Sequence, residues 1–224
     1  TSSLGSIIFT ALCIAFIPNA FNTADGANGL VAGTSALAFV ALISVAPNDL
    51  VPFLLAAVVG CFVFLVFNLI SGRFFLGDGG AYFLGVLAGL SLVIISNETD
   101  VSVWWLLSLV FYPVADLIWS MARRLREGVS PLNPDNQHFH NLLFTWLNAG
   151  NQSPIRANNY TGFAVVATFS GAPFLLTMLQ VLSVMDKDWF FVVMGQWVLY
   201  IVGSKYLNDR LCVLPAATVR NVTT

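Results

Sequence analysis

Long apolar runs alternate with short polar connectors along almost the whole chain, and this alternation predicts its secondary structure. A segment that crosses lipid needs about 17–25 apolar residues and must satisfy its backbone polar groups within a helix. Seven runs approach this length, at residues 4–18, 30–46, 51–70, 81–96, 103–122, 161–185 and 189–207. The pattern therefore predicts an all-α fold, a polytopic transmembrane helical bundle with about seven spans.

The composition supports a lipid environment and excludes some functions. Of the 224 residues, 58% are hydrophobic and only 9% are charged, whereas soluble domains carry about 25% charged residues. The formal net charge of −2 gives no electrostatic basis for nucleic-acid binding. The three cysteines are too scattered for a disulfide framework or a zinc site.

Basic residues divide unevenly if the chain crosses the membrane at each run. Lys187 alone falls on one side, and the other Lys and Arg residues lie on or beside the opposite side, which the positive-inside rule makes cytoplasmic. Three polar segments fall on that side, at residues 19–29, 71–80 and 123–160. We call them the first, second and third polar segments, and we expect them to form one site on a single membrane-embedded domain, residues 1–224. The third segment is the predicted cytoplasmic loop.

The second polar segment contains an acidic residue surrounded by glycines. Gly77, Gly79 and Gly80 flank Asp78, and glycine lets a backbone approach a phosphate and aim its N–H groups at it. A carboxylate in the same turn is a suitable Mg²⁺ ligand. A glycine-rich turn with Asp78 as a helix cap explains the segment equally well.

The first polar segment, NAFNTADGANG, places amides at the end of an apolar run. A turn with helix caps explains Asp25-Gly and Asn28-Gly, but it does not explain Asn19 and Asn22. Polar side chains at that depth usually face a cavity, where amides can bind a nucleobase or a sugar amide. Asn68, near the end of its own run, is a similar case.

The third polar segment contains both histidines of the chain. His138 and His140 are separated by one residue, near Asp135, so in an extended turn they point the same way and can bind phosphate or line a metal site. The alternative is a solvated loop. The preceding arginines are suited to phosphate but are also typical of a topology signal. Asp116, inside the preceding run, is expected to pair with Arg123 or Arg124.

The three segments, in this order, resemble those of the polyprenyl-phosphate N-acetylhexosamine-1-phosphate transferases, the glycosyltransferase family 4 enzymes similar to undecaprenyl-phosphate GlcNAc-1-phosphate transferase. The first family motif, Asn-Ala-x-Asn-x-x-Asp-Gly-x-Asp-Gly, matches at Asn19, Ala20, Asn22, Asp25, Gly26 and Gly29. The second, Phe-x-Gly-Asp-x-Gly, matches at Phe75, Gly77, Asp78 and Gly80. The family's histidine loop, with its preceding Arg-Arg-Leu and Ser-Pro stretch, resembles residues 123–141.

The chain also departs from the family pattern. Asn28 replaces an Asp, and Asn141 replaces the last histidine of the triplet. The family's Asp-Asp pair upstream of the first motif has no counterpart here. We therefore expect the chain to lack the N-terminal part of such a protein.

The resemblance implies a phosphotransferase that moves a sugar-1-phosphate from a UDP-N-acetylhexosamine to a membrane polyprenyl (undecaprenyl) phosphate. UMP is released, and the product starts cell-envelope polysaccharide or lipopolysaccharide synthesis. The implied place is the bacterial inner membrane with the site facing the cytoplasm, and a homodimer is one assembly option. The alternatives are a transporter or lipid-binding protein without catalysis, or an inactive fragment.

The resemblance also implies roles for individual residues. Asp78, His138 and His140 would be catalytic, and Asp78 would hold Mg²⁺, with Mn²⁺ as the alternative ion. The implied substrate-binding residues are Asn19, Asn22, Asp25, Asn28, Asn68, Gly79, Gly80 and Arg124.

Overall fold

A computed structural model of the chain describes residues 4–72, 74–130, 136–150 and 153–213. No strand occurs in these ranges, so the all-α prediction is confirmed. The helices are α1 (Leu4–Ala24), α2 (Leu30–Ile43), α3 (Val51–Ser71), α4 (Gly77–Glu98), α5 (Val103–Leu109), α6 (Phe111–Arg126), α7 (Phe139–Asn148), α8 (Pro154–Val165), α9 (Ala172–Met178) and α10 (Trp189–Val213). A π-helical turn, Val166–Gly171, joins α8 to α9.

Four helical segments in the described ranges are long and apolar enough to cross a membrane, and they identify an integral membrane protein. They are Val51–Ser71, Gly77–Glu98, Pro154–Met178 and Trp189–Val213. A fifth is added if α5 and α6, which are bent by 83°, form one broken span. The predicted count of about seven is thus higher than these helices support. One reason is that α2 has only 14 residues, whereas a span needs about 20.

The bend and the π-helical turn each lie close to a proline. Pro113 and Pro173 have no N–H to donate to the carbonyl four residues earlier. The side chain of Gln196 on α10 compensates in part, because its Nε2 donates to the carbonyls of Ser108 (3.1 Å) and Phe169 (2.7 Å). Two irregular backbone regions inside an apolar bundle are thereby hydrogen-bonded.

Close packing of α1 against α4 brings the first two polar segments together. A Cβ on Gly85 would lie 2.6 Å from the Cα of Pro18, and one on Gly89 would lie 2.7 Å from the carbonyl oxygen of Cys13. Small residues of this kind allow helix backbones to approach in membrane proteins. The order of these contacts makes the two helices antiparallel, so the end of α1 adjoins the start of α4.

Aromatic packing fixes the third polar segment against α10. The ring of Phe139 lies 5.5 Å from that of Tyr200 and 5.7 Å from that of Phe169. Gly203 leaves room for it, since a Cβ there would lie 2.9 Å from the Phe139 ring. Because Phe139 stands between the two histidines, this packing also places His138 and His140.

Candidate active site

The first and second polar segments meet at two carboxylates. Asp25 follows α1, and Asp78 lies in the first turn of α4. Burial is the main cause that raises the pKa of Asp25 to about 6. The nearby backbone N–H of Gly77 opposes that rise, and the negative charge of Asp78 adds to it. The two carboxylates are therefore close enough to repel each other, as in sites that hold a cation.

Helix α4 begins at Gly77, earlier than the predicted position near residue 81. Asp78 and Gly79 are exposed in its first turn, where backbone N–H groups have no partner within the helix. A Cβ on Gly79 would meet nothing within 4 Å. This turn is thus open to a ligand and has the N–H donors that suit phosphate.

The first and third polar segments meet at Gly26 and His140. A Cβ on Gly26 would lie 2.2 Å from Nε2 of His140, so the backbone touches the imidazole and no side chain fits between them. On its other side, His140 Nδ1 lies 2.8 Å from the Tyr112 hydroxyl, and the His140 backbone N–H donates to the same oxygen over 3.2 Å. With its oxygen accepting that bond, the hydroxyl is free to donate to Nδ1, which leaves the ring proton on Nε2.

His140 is buried, and this determines its charge. Burial is the main cause that lowers the pKa of His140 to about 4. The charge of Asp116 opposes the decrease and that of His138 adds to it. The ring is therefore neutral near pH 7 and acts as a hydrogen-bonding group.

His138 is held by a buried carboxylate. Its Nδ1 lies 2.6 Å from Oδ2 of Asp116. The other oxygen, Oδ1, accepts from the Phe139 backbone N–H (3.0 Å) and from the Tyr200 hydroxyl (2.7 Å). A carboxylate requires a proton on Nδ1, so Nε2 is left to face a ligand. The His138 and His140 rings stack with their centroids 5.6 Å apart and 10° between their planes.

The predicted pairing of Asp116 with Arg123 or Arg124 is therefore wrong. Those arginines lie about two turns further along α6, roughly 10–12 Å along its axis. The carboxylate instead points towards His138 and Tyr200. Arg124 itself is buried at 8% exposure.

Asn28 and Asn68 lie in a buried amide cluster. Asn68 Nδ2 donates to Asn28 Oδ1 (3.3 Å), and Asn28 Nδ2 donates to Asn159 Oδ1 (2.8 Å). The Asn28 backbone N–H donates to Asn158 Oδ1 over 3.0 Å. These bonds connect the first polar segment to α3 and α8, so Asn28 and Asn68 stabilise the position of that segment.

A small cavity lies beside this cluster. Its volume is about 110 Å³, and Asp25, Asn68 and Leu76 are among its lining residues. The Asn68 Oδ1 atom is buried and has no hydrogen-bond partner among the residues that the structure describes, and such an atom calls for a polar ligand or water. A substrate-binding role for Asn28 and Asn68 stays a prediction.

Asn19 and Asn22 lie on the last turns of α1. Asn19 is exposed, its Nδ2 donates to the Ala15 carbonyl (2.7 Å), and its Oδ1 accepts from the Tyr82 hydroxyl (3.4 Å). Asn22 is half-buried. Asp135 lies outside the described residues.

Several residues that build the site were not identified from the sequence. Tyr112 and Tyr200 orient the histidines and Asp116, and Asn158 and Asn159 complete the amide cluster. The one available signal was Asn158-Asn159, an amide pair just before an apolar run. The tyrosines lie inside apolar runs and look like packing residues.

The carboxylates are suited to Mg²⁺. Among the described residues, no group of three His, Cys, Asp or Glu side chains forms a metal cage. Mg²⁺ does not require one, because it keeps several waters and takes one or two carboxylates together with substrate phosphates. Asp78, exposed beside Asp25, provides that donor set.

Comparisons with known proteins support the motif assignment. Residues 1–96 match the sequence model of Glycosyl transferase family 4. The undecaprenyl-phosphate alpha-N-acetylglucosaminyl 1-phosphate transferases of Escherichia coli (strain K12) and Yersinia pestis are 32% and 33% identical, over 56% of this chain and 37% of each relative. The decaprenyl-phosphate N-acetylglucosaminephosphotransferase of Mycolicibacterium smegmatis is 30% identical over 62% of this chain and 41% of the relative.

The chain thus spans about two fifths of the length of these curated relatives. No solved structure gives a significant match. Residues 1–96, which carry the first two polar segments, are therefore similar to glycosyl transferase family 4, and the resemblance to the polyprenyl-phosphate N-acetylhexosamine-1-phosphate transferases is confirmed.

Proposed function

We propose that this chain transfers a sugar-1-phosphate from a UDP-N-acetylhexosamine to a membrane polyprenyl phosphate and releases UMP. The observation that carries the proposal is the position of Gly26. It lies next to Asp25 in the chain and touches His140, so the segment with the carboxylates adjoins the segment with the paired imidazoles. Asp78 begins α4, an apolar helix long enough to span a membrane.

The reaction requires a site of this kind. One substrate is a soluble dianion and the other is a phosphate anchored in lipid, so they meet only at the membrane interface. An oxygen of the lipid phosphate becomes bonded to the sugar-bearing phosphorus, and the bond from that phosphorus to UMP breaks. Mg²⁺ or Mn²⁺ held by Asp78, with Asp25 beside it, would reduce the repulsion between the two anions.

The histidines and the N–H groups of α4 would hold the phosphates. His138 presents Nε2 because Asp116 occupies Nδ1. The N–H groups of Gly79 and Gly80, in the first turn of α4, suit the charge that develops on the transferred phosphoryl group. Asn19, Asn22 and Asp25 would contact the nucleotide side.

We also place this site at the cytoplasmic face of a bacterial inner membrane, because three arginines, Arg123, Arg124 and Arg126, end α6 where the third polar segment begins. The product would start a cell-envelope polysaccharide. A homodimer is part of the proposal and is measured by light scattering of the solubilised protein. A transporter would have its site near mid-membrane between repeated halves, whereas these polar residues lie at helix ends.

The test is transfer of radiolabel from UDP-N-acetylglucosamine to butanol-extractable lipid, with polyprenyl phosphate added and with or without EDTA. Equilibrium binding of the UDP-sugar is measured on the same protein. Labelled lipid that EDTA abolishes supports the proposal. A protein that neither transfers label nor binds the UDP-sugar contradicts it, and binding without transfer points to an inactive fragment.

A further inference from the structure

A second cavity lies between α6 and α10, beside the start of the third polar segment. Its volume is about 360 Å³, and its lining includes Trp119, Arg123 and Arg126 of α6 and Ile201, Ser204 and Lys205 of α10. None of its lining residues belongs to the first or second polar segment or is a histidine. We call it the α6–α10 cleft, and the proposed transfer reaction does not use it.

The cleft has a cationic part and an apolar part. Arg123, Arg126 and Lys205 supply the cations, and none of the described residues that line the cleft is a carboxylate. The guanidinium of Arg126 lies over the Trp119 ring, 5.8 Å from the centroid. That contact holds one cation above an aromatic wall. Its ligand should therefore be an anion with an apolar portion.

Ser204 adds a hydroxyl group to the lining of the cleft. Its side chain is 5% exposed, and its hydroxyl interacts with that of Tyr200. A phosphate oxygen in the cleft would accept from it and would also interact with the neighbouring cations.

The surroundings of the cleft favour a lipid over a soluble anion. Helix α10 is apolar enough to span a membrane, and Ile118, Val198 and Val202, on the same two helices, are exposed. Water would not favour such a surface, whereas acyl chains would cover it. Basic pockets between membrane helices are typical binding sites for anionic lipid headgroups.

We propose that the α6–α10 cleft binds a glycerophospholipid with an anionic headgroup, with its phosphate at the cations and its acyl chains along Trp119 and Ile201. Tyr200 lies one turn before Ser204 on α10 and donates to Asp116 on α6. A bound lipid would therefore hold α6 against α10 beside the contact that orients His138. The inference concerns lipid binding and does not rest on the proposed transfer.

The test is native mass spectrometry of the detergent-solubilised chain titrated with phosphatidylglycerol or phosphatidylcholine. We expect tighter binding of phosphatidylglycerol. Removing one cation, in Arg126→Gln or in Lys205→Gln, should weaken the binding of phosphatidylglycerol about fivefold. The double variant should weaken it further. Arg210→Gln is the matched control, because Arg210 is exposed on the same helix and does not line the cleft.

Equal binding of the two lipids, or an unchanged preference in both single variants, would overturn the proposal. Competition by inorganic phosphate alone would show a site for free phosphate. If polyprenyl phosphate binds to the cleft and phosphatidylglycerol does not, the cleft belongs to the acceptor of the transfer reaction. Competition by inorganic phosphate and selective binding of polyprenyl phosphate both count against the proposal. Lys205→Gln remains informative if Arg126→Gln unfolds, since Lys205 is exposed.

Discussion

The Nδ1 atom of His138 lies 2.6 Å from Oδ2 of Asp116, so a carboxylate inside an apolar helix fixes a histidine of the third polar segment. Both side chains are buried, and the carboxylate is further hydrogen-bonded by Tyr200. Such an arrangement sets the tautomer and the direction of an imidazole, as it does for histidines in metal and catalytic sites. His138 is thus oriented before any substrate binds.

Asp116→Asn should reduce transfer by about 10- to 100-fold, the usual cost of removing an orienting partner from a functional histidine. The amide has no negative charge to hold the proton on Nδ1, so Nε2 loses its fixed state. Initial rates at saturating substrate measure this effect. The unfolding midpoint of the variant, measured alongside the rates, separates this effect from misfolding.

Tyr200→Phe is the control for Asp116→Asn. It removes one hydrogen bond to the same carboxylate but leaves the contact with His138. It should therefore lower the free energy of unfolding by about 1 kcal/mol and change the transfer rate little. If Asp116→Asn and Tyr200→Phe lower transfer equally and lower the unfolding midpoint equally, Asp116 has only a structural role.

Gly26→Ala should disrupt transfer by moving His140. The new Cβ would lie 2.2 Å from Nε2 of His140, and the ring cannot easily retreat because Tyr112 holds its Nδ1. We expect at least a 10-fold loss of transfer, in line with the cost of a misplaced supporting contact, with membrane insertion unchanged.

Gly195→Ala is the matched control for Gly26→Ala, since a Cβ there meets nothing within 4 Å. In helix α10 it should leave transfer intact and raise stability by about 0.5–1 kcal/mol. Wild-type transfer by Gly26→Ala would show that the contact with His140 is not needed.

The apolar helices and the polar segments were predictable because both are local properties of the sequence. The length of the run at Val51–Ser71 and the glycines around Asp78 can be read without knowing what packs against them. The break between α5 and α6 had one local signal, Pro113, in an otherwise continuous apolar run. The difference between the seven predicted spans and the four or five found among the described residues follows from such details of length and bending.

The contacts that build the site were not predictable in the same way. Asp116 meets His138, and Gly26 meets His140, only because α1 packs against α6 while α10 packs against both α6 and α7. No periodicity relates these positions. An arginine close in sequence therefore looked like the natural partner of Asp116, while the true partner lies in the next helical region.

Asp78→Asn should abolish transfer while the protein keeps its unfolding midpoint. Asp78 is exposed in the first turn of α4, so the change removes a metal ligand and no packing contact. Transfer and Mg²⁺-dependent UDP-sugar binding measure the effect. Asp49→Asn, an exposed carboxylate outside the three polar segments, should change neither. Normal Mg²⁺-dependent transfer by Asp78→Asn would exclude Asp78 as the ligand.

Stability should depend on pH through two groups of the site with opposite signs. The pKa of Asp25 is raised from 3.8 to about 6. The folded state therefore binds more protons than the unfolded state between these values, and stability falls as pH rises from about 4 to about 6. The pKa of His140 is lowered from 6.5 to about 4, so its contribution to stability rises as pH rises from about 4 to about 6.5. The two contributions oppose each other, and the stability of the wild type should change little with pH in this range.

Asp25→Asn should remove the contribution of Asp25 to the pH dependence of stability, because the neutral amide does not titrate. The contribution of His140 remains, so the unfolding free energy of the variant should rise with pH between about 4 and 6.5 more steeply than that of the wild type. Denaturant unfolding at a series of pH values measures the difference. Parallel curves for the two proteins would show that Asp25 has an ordinary pKa in the folded state.

Transfer should show the opposite dependence on Asp25. If the ionised carboxylate helps to hold a divalent cation, transfer by the wild type should fall as pH decreases through about 6. A higher Mg²⁺ concentration should move this midpoint to lower pH, because a bound cation favours the charged form. His140 is neutral throughout this range and should not contribute. A midpoint that does not respond to Mg²⁺ would place the cation away from Asp25, with Asp78 as its remaining ligand.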